Sequence, residues 1–394
     1  MANLFENQKA WNTVKRGLSE GLDGKKKENF EAVLENTRKH MLKESATFGA
    51  TSSGNIATLN KVILPIMRRV MPNVIANDIL GVQPLPGPVA QIHTMRYVYS
   101  ENHAGVTPGT EALSPFEVAR AYSGNGDASD PKAAATANLE GQPGKRLAVN
   151  LVKQTAEAKT RRLSARWTVE AEQDSESQFG LDLESEIMAG LAQEITAEID
   201  QELLGRLRSL ARTGATYDMS DDTSFTGSPT FVGDRHAVLA TLMNQQANLV
   251  AQRTRRGRAN WAVVSPMALT ILQSATTSTF ARTTEGPFDD PDNQKLVGTL
   301  NNNMKVYSDT YADESAPVLL GYKGQNEFDA GAYFCPYVPL TATQVMTDPN
   351  TFEQVVGFMT RYAYVELANS ASSFGNAADY VSKINIPSDS LKFI

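Results

Sequence analysis

Two alternating segments frame a spacer that cannot build a core, and this arrangement limits what the chain can fold into. Residues 90–99, AQIHTMRYVY, alternate Ile92, Thr94, Arg96 and Val98 against His93, Met95, Tyr97 and Tyr99. Residues 159–170 alternate Leu163, Ala165, Trp167 and Val169 against Arg162, Ser164, Arg166 and Thr168. Both patterns suit half-buried strands. About 60 residues rich in Gly, Ala, Pro, Ser and Asp separate them, such as SGNGDASDPKAAATA at 123–137. That spacer has too few large apolar side chains for a core of its own. The expectation is a long two-stranded hairpin over 91–170 with a flexible insertion. Such a limb is marginal alone, so its stability should come from a neighbouring subunit.

The composition around it is that of a globular protein. The chain has 394 residues, enough for two or three cores, with 41% hydrophobic and 21% charged residues. No run of about 18 apolar residues occurs, so stable membrane insertion is not expected. The start, MANLFENQKAWNTVKRG, lacks the apolar stretch of a signal peptide. The single cysteine, Cys335, allows no internal disulfide and suits a reducing compartment. Among Tyr333, Phe334 and Tyr337 it reads as a small buried apolar residue rather than a nucleophile. Residues 1–44 carry 9 Lys/Arg against 7 Asp/Glu, leaving 28 against 37 in the rest. Loss of that segment would take the formal charge from −7 to −9. An acidic body argues against tight general binding of DNA, which needs clustered cations.

Residues 1–44 are charged and helix-prone, with a weak stripe of Phe30, Val33, Leu34 and Met41, as in a helical hairpin. At Glu44 the composition changes to SATFGATSSGNIAT, residues 45–58, which reads as an extended arm reaching about 45 Å. Over 181–210, Ile187, Leu191, Ile195, Ile199, Leu203 and Leu207 recur every fourth position, so the apolar stripe winds around a long helix. Its acidic residues lie early and its basic ones late, as the macrodipole favours. A second helix spans 234–252 with Asp234 as N-cap. Trp261–Val264 reads as a buried strand, and Pro266 opens a short helix. Further strands are expected at 303–308, 317–322, 331–338 and 354–366. Strands mixed with helices give an α+β class.

Catalytic patterns are missing. The four histidines, His40, His93, His103 and His236, accompany no HExxH, and neither a G-x-S-x-G elbow nor a Walker-type loop occurs. Gly124-Asn125-Gly126 is a weak phosphate cradle, since it opens no helix. Asp289, Asp290 and Asp292 form an acidic turn without the spacing of an EF-hand. Arg253, Arg255, Arg256 and Arg258 form the densest basic run. They admit three readings: helix C-terminal cations, nucleic-acid contacts, or inter-subunit ion pairs.

Residues 61–88, KVILPIMRRVMPNVIANDILGVQPLPGP, join an apolar helical segment bearing Arg68-Arg69 to a Pro-rich turn. Pro72 suits a kink or a second helix start, and Gly81 a C-terminal stop. With AEAKTRRLSARWTVE (156–170), LGYKGQNEFDAGAYFCPYVPL (320–340) and DPNTFEQVVGFMTRYAY (348–364), this segment resembles the major capsid protein family of T-even-type (T-four-like) tailed phages, the myoviruses. The resemblance implies the Hong Kong 97-type capsid fold, with an N-terminal arm, an extended hairpin loop, a peripheral domain built on a spine helix, and an axial domain. On it, 1–44 is a propeptide, 45–90 the arm and first helix, 171–260 the peripheral domain and 261–345 the axial domain. Residues 346–394 are then a return strand to the peripheral domain and a tail. It implies no catalysis and no cofactor. It further implies a homo-oligomeric icosahedral shell of hexamers and pentamers that encloses double-stranded DNA without sequence-specific contact. Implied partners are vertex, portal and decoration proteins, with a scaffold and a prohead protease during assembly in the host bacterial cytoplasm. The family's protease cuts after Glu in a Leu/Ile-x-Glu context, which Glu44-Ser45 and, without a composition break, Leu18-Ser19-Glu20 both match. For such a subunit, Arg68, Arg69, Arg161, Arg162, Arg166, Arg253, Arg255, Arg256 and Arg361 become candidate inter-subunit contacts. A paralogous vertex protein of the same fold, an encapsulin-like compartment and an unrecognised hydrolase are the alternatives.

Overall fold

The computed structural model describes residues 8–19, 22, 24–47, 74–110, 112, 119–179, 183–218, 232–254, 256–274, 280–282, 294–301, 303–313, 315–327, 329–343, 345–351, 353–367 and 376–387. Strands β1 (Gly81–Val82), β2 (Val89–Tyr99), β3 (Leu147–Glu157) and β4 (Lys159–Thr168) come early in the chain. Then follow β5 (Arg212–Thr216), β6 (Trp261–Val264), β7 (Phe280–Arg282), β8 (Gln294–Leu300), β9 (Met304–Asp309) and β10 (Val318–Gly321). The last four are β11 (Ala332–Ala342), β12 (Met346–Thr347), β13 (Glu353–Glu366) and β14 (Val381–Asn385). They make two sheets and a separate hairpin, with helices between, so the α+β class holds.

The seven-stranded sheet runs β5-β14-β10-β6-β9-β8-β7. Strands β6 and β10 at its centre are apolar and buried at every position because each face has its own core. Ala262, Val264, Val306, Val318, Leu320 and Ile384 meet helix Val232–Thr254 and helix Pro266–Ser274. Trp261, Val263, Tyr307 and Leu319 point the other way, into the cluster around helix Leu183–Leu210. The five-stranded sheet (β1-β11-β13-β12, with β4 on β13) buries Val356, Phe358, Tyr362 and Phe334 against the same long helix. That helix is therefore gripped from two sides, as its winding stripe requires. Met188, Ala192, Ile195, Ile199, Leu203, Leu204 and Leu207 are its buried apolar residues.

Two acids that sequence reading passed over hold the long helix in place. Asp309, fully buried at the end of β9, accepts hydrogen bonds from Gln201 Nε2 at 2.8 Å and Arg208 Nη2 at 2.6 Å. Asp200, also buried, accepts the backbone N–H of Ile75 at 3.0 Å. Both acids are polar groups inside an apolar layer, which only their donors make tolerable.

Several expectations change. Segment 159–168 does not pair with 90–99. It lies along β13, with Arg162 opposite Met359 and Arg166 opposite Val355. The hairpin partner of β2 is β3, from inside the supposed spacer, with His93 opposite Lys153. A single residue, Ala158, separates β3 from β4. The spacer also holds a small core after all, in which Tyr99 and Tyr122 rings lie 4.6 Å apart beside Ala112. Strand 332–342 belongs to the five-stranded sheet, while the missed strand 381–385 enters the seven-stranded one. The second helix starts at Val232, which places Asp234 within its first turn and not at the cap. A short helix, Ala76–Ile79, does end just before Gly81, with Leu80 as its C-cap, but Gly81 is not left-handed. It sits in β1, where a Cβ would meet the Glu327 carbonyl oxygen at 2.4 Å and the Tyr333 ring at 2.8 Å. Arg68, Arg69, Pro72, Arg255, Asp289, Asp290 and Asp292 lie outside the described residues.

Candidate subunit-contact surfaces

Two of the recognised sequence stretches, 61–88 and 320–340, supply one junction. Strand β1, from GVQP, runs parallel to β11, from the CPY block, with Gly81 opposite Tyr333 and Val82 opposite Phe334. The GYKG loop closes over it. Glu327 accepts the Val82 N–H at 2.8 Å, and Lys323 Nζ donates to the Asn77 carbonyl at 2.8 Å while pairing with Glu327 at 3.3 Å. Burial pushes the Lys323 ammonium down, with Glu327 opposing. Arg256 joins the junction through Asp329 at 2.7 Å, and the Tyr322 hydroxyl donates to the same carboxylate at 3.1 Å. Every charge here has a partner inside the subunit, so the junction is a structural tie.

The candidate arginines divide by which way their strands face. Arg161 points from β4 toward the long helix, between Glu198 (2.6 Å) and Glu202, with its Nε donating to the Tyr362 hydroxyl at 2.6 Å. Tyr362 in turn donates to Glu202, and Arg206 binds the other Glu202 oxygen at 2.9 Å. Burial alone would raise Glu202, but the hydrogen bonds from Tyr362 and Arg161 outweigh it and hold the carboxyl below its ordinary range. Burial, with the bond to Glu202, pushes the Tyr362 hydroxyl up to about 12. Arg161 is thus engaged by acids of its own chain. Arg253 lies at the end of helix Val232–Thr254, where burial and then Arg212 depress its guanidinium.

Arg162, Arg166 and Arg361 occupy the opposite face of the five-stranded sheet. Arg162 and Arg166 are exposed, and Arg166 reaches Glu353 only at 3.9 Å. Arg361 stacks over the Tyr337 ring, 5.3 Å from its centre. The β2–β3 hairpin shows the second open surface. Leu147, Val149 and Leu151 are exposed by 52, 55 and 63%, next to an exposed Tyr97 on β2. Leu147 pairs with Tyr99 and Val149 with Tyr97, so the three aliphatic residues form a row on one side of the limb.

At the N-terminus, helices Gln8–Leu18 and Gly24–Thr47 pack onto the body. Trp11, Phe30 and Leu34 enter the main core, Asn36 donates to the Leu85 carbonyl at 2.8 Å, and Lys26 pairs with Asp78 at 2.6 Å. The second helix continues through Glu44-Ser45 to Thr47, so the extended arm does not begin at 45.

Chemistry finds little footing. Cys335 is buried, and burial pushes its thiol up to about 12. Gly124-Asn125-Gly126 spends its amides inside its own turn, on the carbonyls of Ala121 and Lys132. Among the described residues no group of His, Cys, Asp or Glu is placed to hold a metal, and no helix is long and apolar enough to cross a membrane.

A chain with exposed apolar and basic surfaces on a doubly cored body has the character of a building block. The model of the family "Major capsid protein Gp23" matches residues 56–141 and 125–386. The chain belongs to that family, whose members are structural and not enzymatic. Relatives include the major capsid protein of Vibrio phage KVP40, 26% identical over 83% of this chain and 80% of that one. That of Enterobacteria phage T4 is 26% identical over 79% and 76%, and that of Serratia phage KSP90 28% over 91% and 82%. Among solved structures, Microbacterium phage Oxtober96 aligns over 79% of this chain and 90% of its own, at 11% identity and a TM-score of 0.44. The capsid of Myoviridae phage XM1 aligns over 80% and 92%, at 11% identity and a TM-score of 0.43. The protein is accordingly a subunit of a phage head shell, a multimeric assembly, and its place is the virion.

Proposed function

We propose that copies of this chain assemble, in the Hong Kong 97-type manner, into hexamers and pentamers that close an icosahedral shell around double-stranded DNA. The supporting observation is the hairpin. Two strands that leave Leu147, Val149 and Leu151 in water lack the third layer that such a limb needs. A neighbouring subunit is its natural cover, and contacts that close by rotation generate rings. The acidic body suits enclosure of DNA without adhesion to it.

Processing after Glu44 belongs to the same proposal. It would sever Trp11, Phe30 and Leu34 from the body and expose what they cover. Because the Glu44–Ser45 bond is helical, a prohead protease has to unwind the last turn before cutting. Scaffold, portal, vertex and decoration proteins complete the proposed partners, with assembly in the host cytoplasm.

The test is electron microscopy of the expressed full chain and of Leu151→Asp. Rings, tubes or shells from the native chain, and soluble folded subunits from the variant, are expected. A native chain that stays monomeric at high concentration refutes the proposal. Mass spectrometry of subunits from mature particles reads the processing: an intact residue 1 refutes cleavage.

A further inference from the structure

We propose that the helix Val169–Phe179 of one subunit docks on the basic sheet face of a second copy, in a head-to-tail contact. The inference rests on the shell reading above.

The helix, VEAEQDSESQF, carries Glu170, Glu172, Asp174 and Glu176 and no basic residue. Glu170, Asp174 and Glu176 are exposed, and no ion pair engages any of the four among the described residues. Four negative charges on an eleven-residue helix repel one another unless cations lie close by.

The complementary surface is the solvent side of β4 and β13. Alternation puts Arg162 and Arg166 on the same side as Val355, Gly357, Met359 and Arg361, their partners and neighbours in the ladder. Three arginines there stand against one acid, Glu353. Arg162 makes no ion pair among the described residues, and the Arg361 Nε is buried without a hydrogen-bond partner. The small Gly357 and the apolar Val355 and Met359 are half-buried and make the centre of this face partly apolar.

The two patches cannot satisfy each other within one chain. Trp167 faces the long helix, in the main core, and its indole donates to Glu172 at 3.4 Å. The acidic helix therefore sits on the helix-bearing side of the sheet, touching helix Leu183–Leu210, while the arginines sit on the other. Unlike patches on opposite sides of one body meet only between copies, and such contacts are heterologous, the kind that makes rings. Long-range attraction between them also steers encounter and fixes register.

The test is charge reversal in the full chain, read by light scattering and electron microscopy. Arg162→Glu with Arg166→Glu, and separately Asp174→Lys with Glu176→Lys, should each raise the concentration needed for assembly by about tenfold or more. All four sites are exposed, so circular dichroism and the melting temperature should stay as in the native chain. An equal mixture of the two reversed proteins should recover six-membered rings and tubes where neither forms them alone, because alternation around an even-numbered ring pairs opposite charges at every contact. The quadruple variant should also recover. Reversed proteins that assemble like the native chain overturn the inference and leave the shell reading intact. A mixture and a quadruple variant no better than the doubles overturn it too. A native chain that never assembles overturns both readings together.

Discussion

The two sheets are joined to the long helix by different chemistry, and Asp309 offers the sharpest measure of it. Its carboxylate is fully buried, and its two side-chain donors, Gln201 and Arg208, both come from the long helix. Asp309→Ala removes an acceptor held by one charged donor, Arg208, and two neutral ones, Gln201 and the Tyr311 N–H at 3.1 Å. Hydrogen bonds to charged groups contribute about 1.5–3 kcal/mol each, and breaking a buried pair costs about 3–5 kcal/mol. Arg208 keeps 19% of its side chain in water, so its guanidinium is only partly stranded. The lower end of that range, about 3 kcal/mol, is therefore expected. Asp309→Asn keeps one acceptor and should cost about 1–2 kcal/mol. Urea unfolding of subunits held below their assembly concentration measures both, with unchanged m-values showing that only stability has moved. The joint variant Asp309→Leu with Arg208→Met should regain most of the loss. A cost below about 1 kcal/mol for Asp309→Ala, or no recovery in the joint variant, refutes the view that this pair clamps helix to sheet.

Three further outcomes follow from the geometry. Glu202 is held below the ordinary carboxylate value of 4.5, so its contribution is fully present above that pH and is lost as pH falls through the depressed value. Glu202→Gln should flatten this acid limb of the stability curve, and an unchanged limb contradicts the assignment. Gly81→Ala places a methyl against the Glu327 carbonyl and the Tyr333 ring, and overpacking of this sort should cost about 1–3 kcal/mol in urea titrations. Cys335, buried with its thiol near 12, should resist a thiol reagent at pH 8 in the native chain and react promptly in urea. Fast native labelling would show that strand β11 opens.

Elements with their own periodicity were legible in the sequence. The winding stripe of 181–210 and the all-apolar Trp261–Val264 come from side chains placed between two cores, a demand that leaves its pattern in composition. Strand β3 was not legible, because its row of Leu147, Val149 and Leu151 faces water and lies in a segment of small residues. Pairing was less legible still. Segment 159–168 alternates as well for β13 as for β2, and alternation names a face without naming a partner. The arginines show the same limit. Arg161 and Arg162 are adjacent in sequence, yet strand geometry sends one into a cluster with Glu198 and Glu202 and the other to the opposite face. The charge content of 169–179 was visible from the start; which side of the sheet it occupies was not.

The hairpin's attachment has a practical consequence. At its root, the Ala158 N–H bonds to the Pro88 carbonyl at 2.9 Å, and β4 begins with the very next residue. One residue added there would invert the facing of all of β4, turning Arg162 and Arg166 inward and Arg161 and Trp167 outward. Among the described residues of the tip, 100–146, local turns close the chain beyond the small Tyr99–Tyr122 core, with no such phase to keep. Foreign peptides meant for display on this scaffold belong at the tip, and graft length there is free in a way that it can never be at the root.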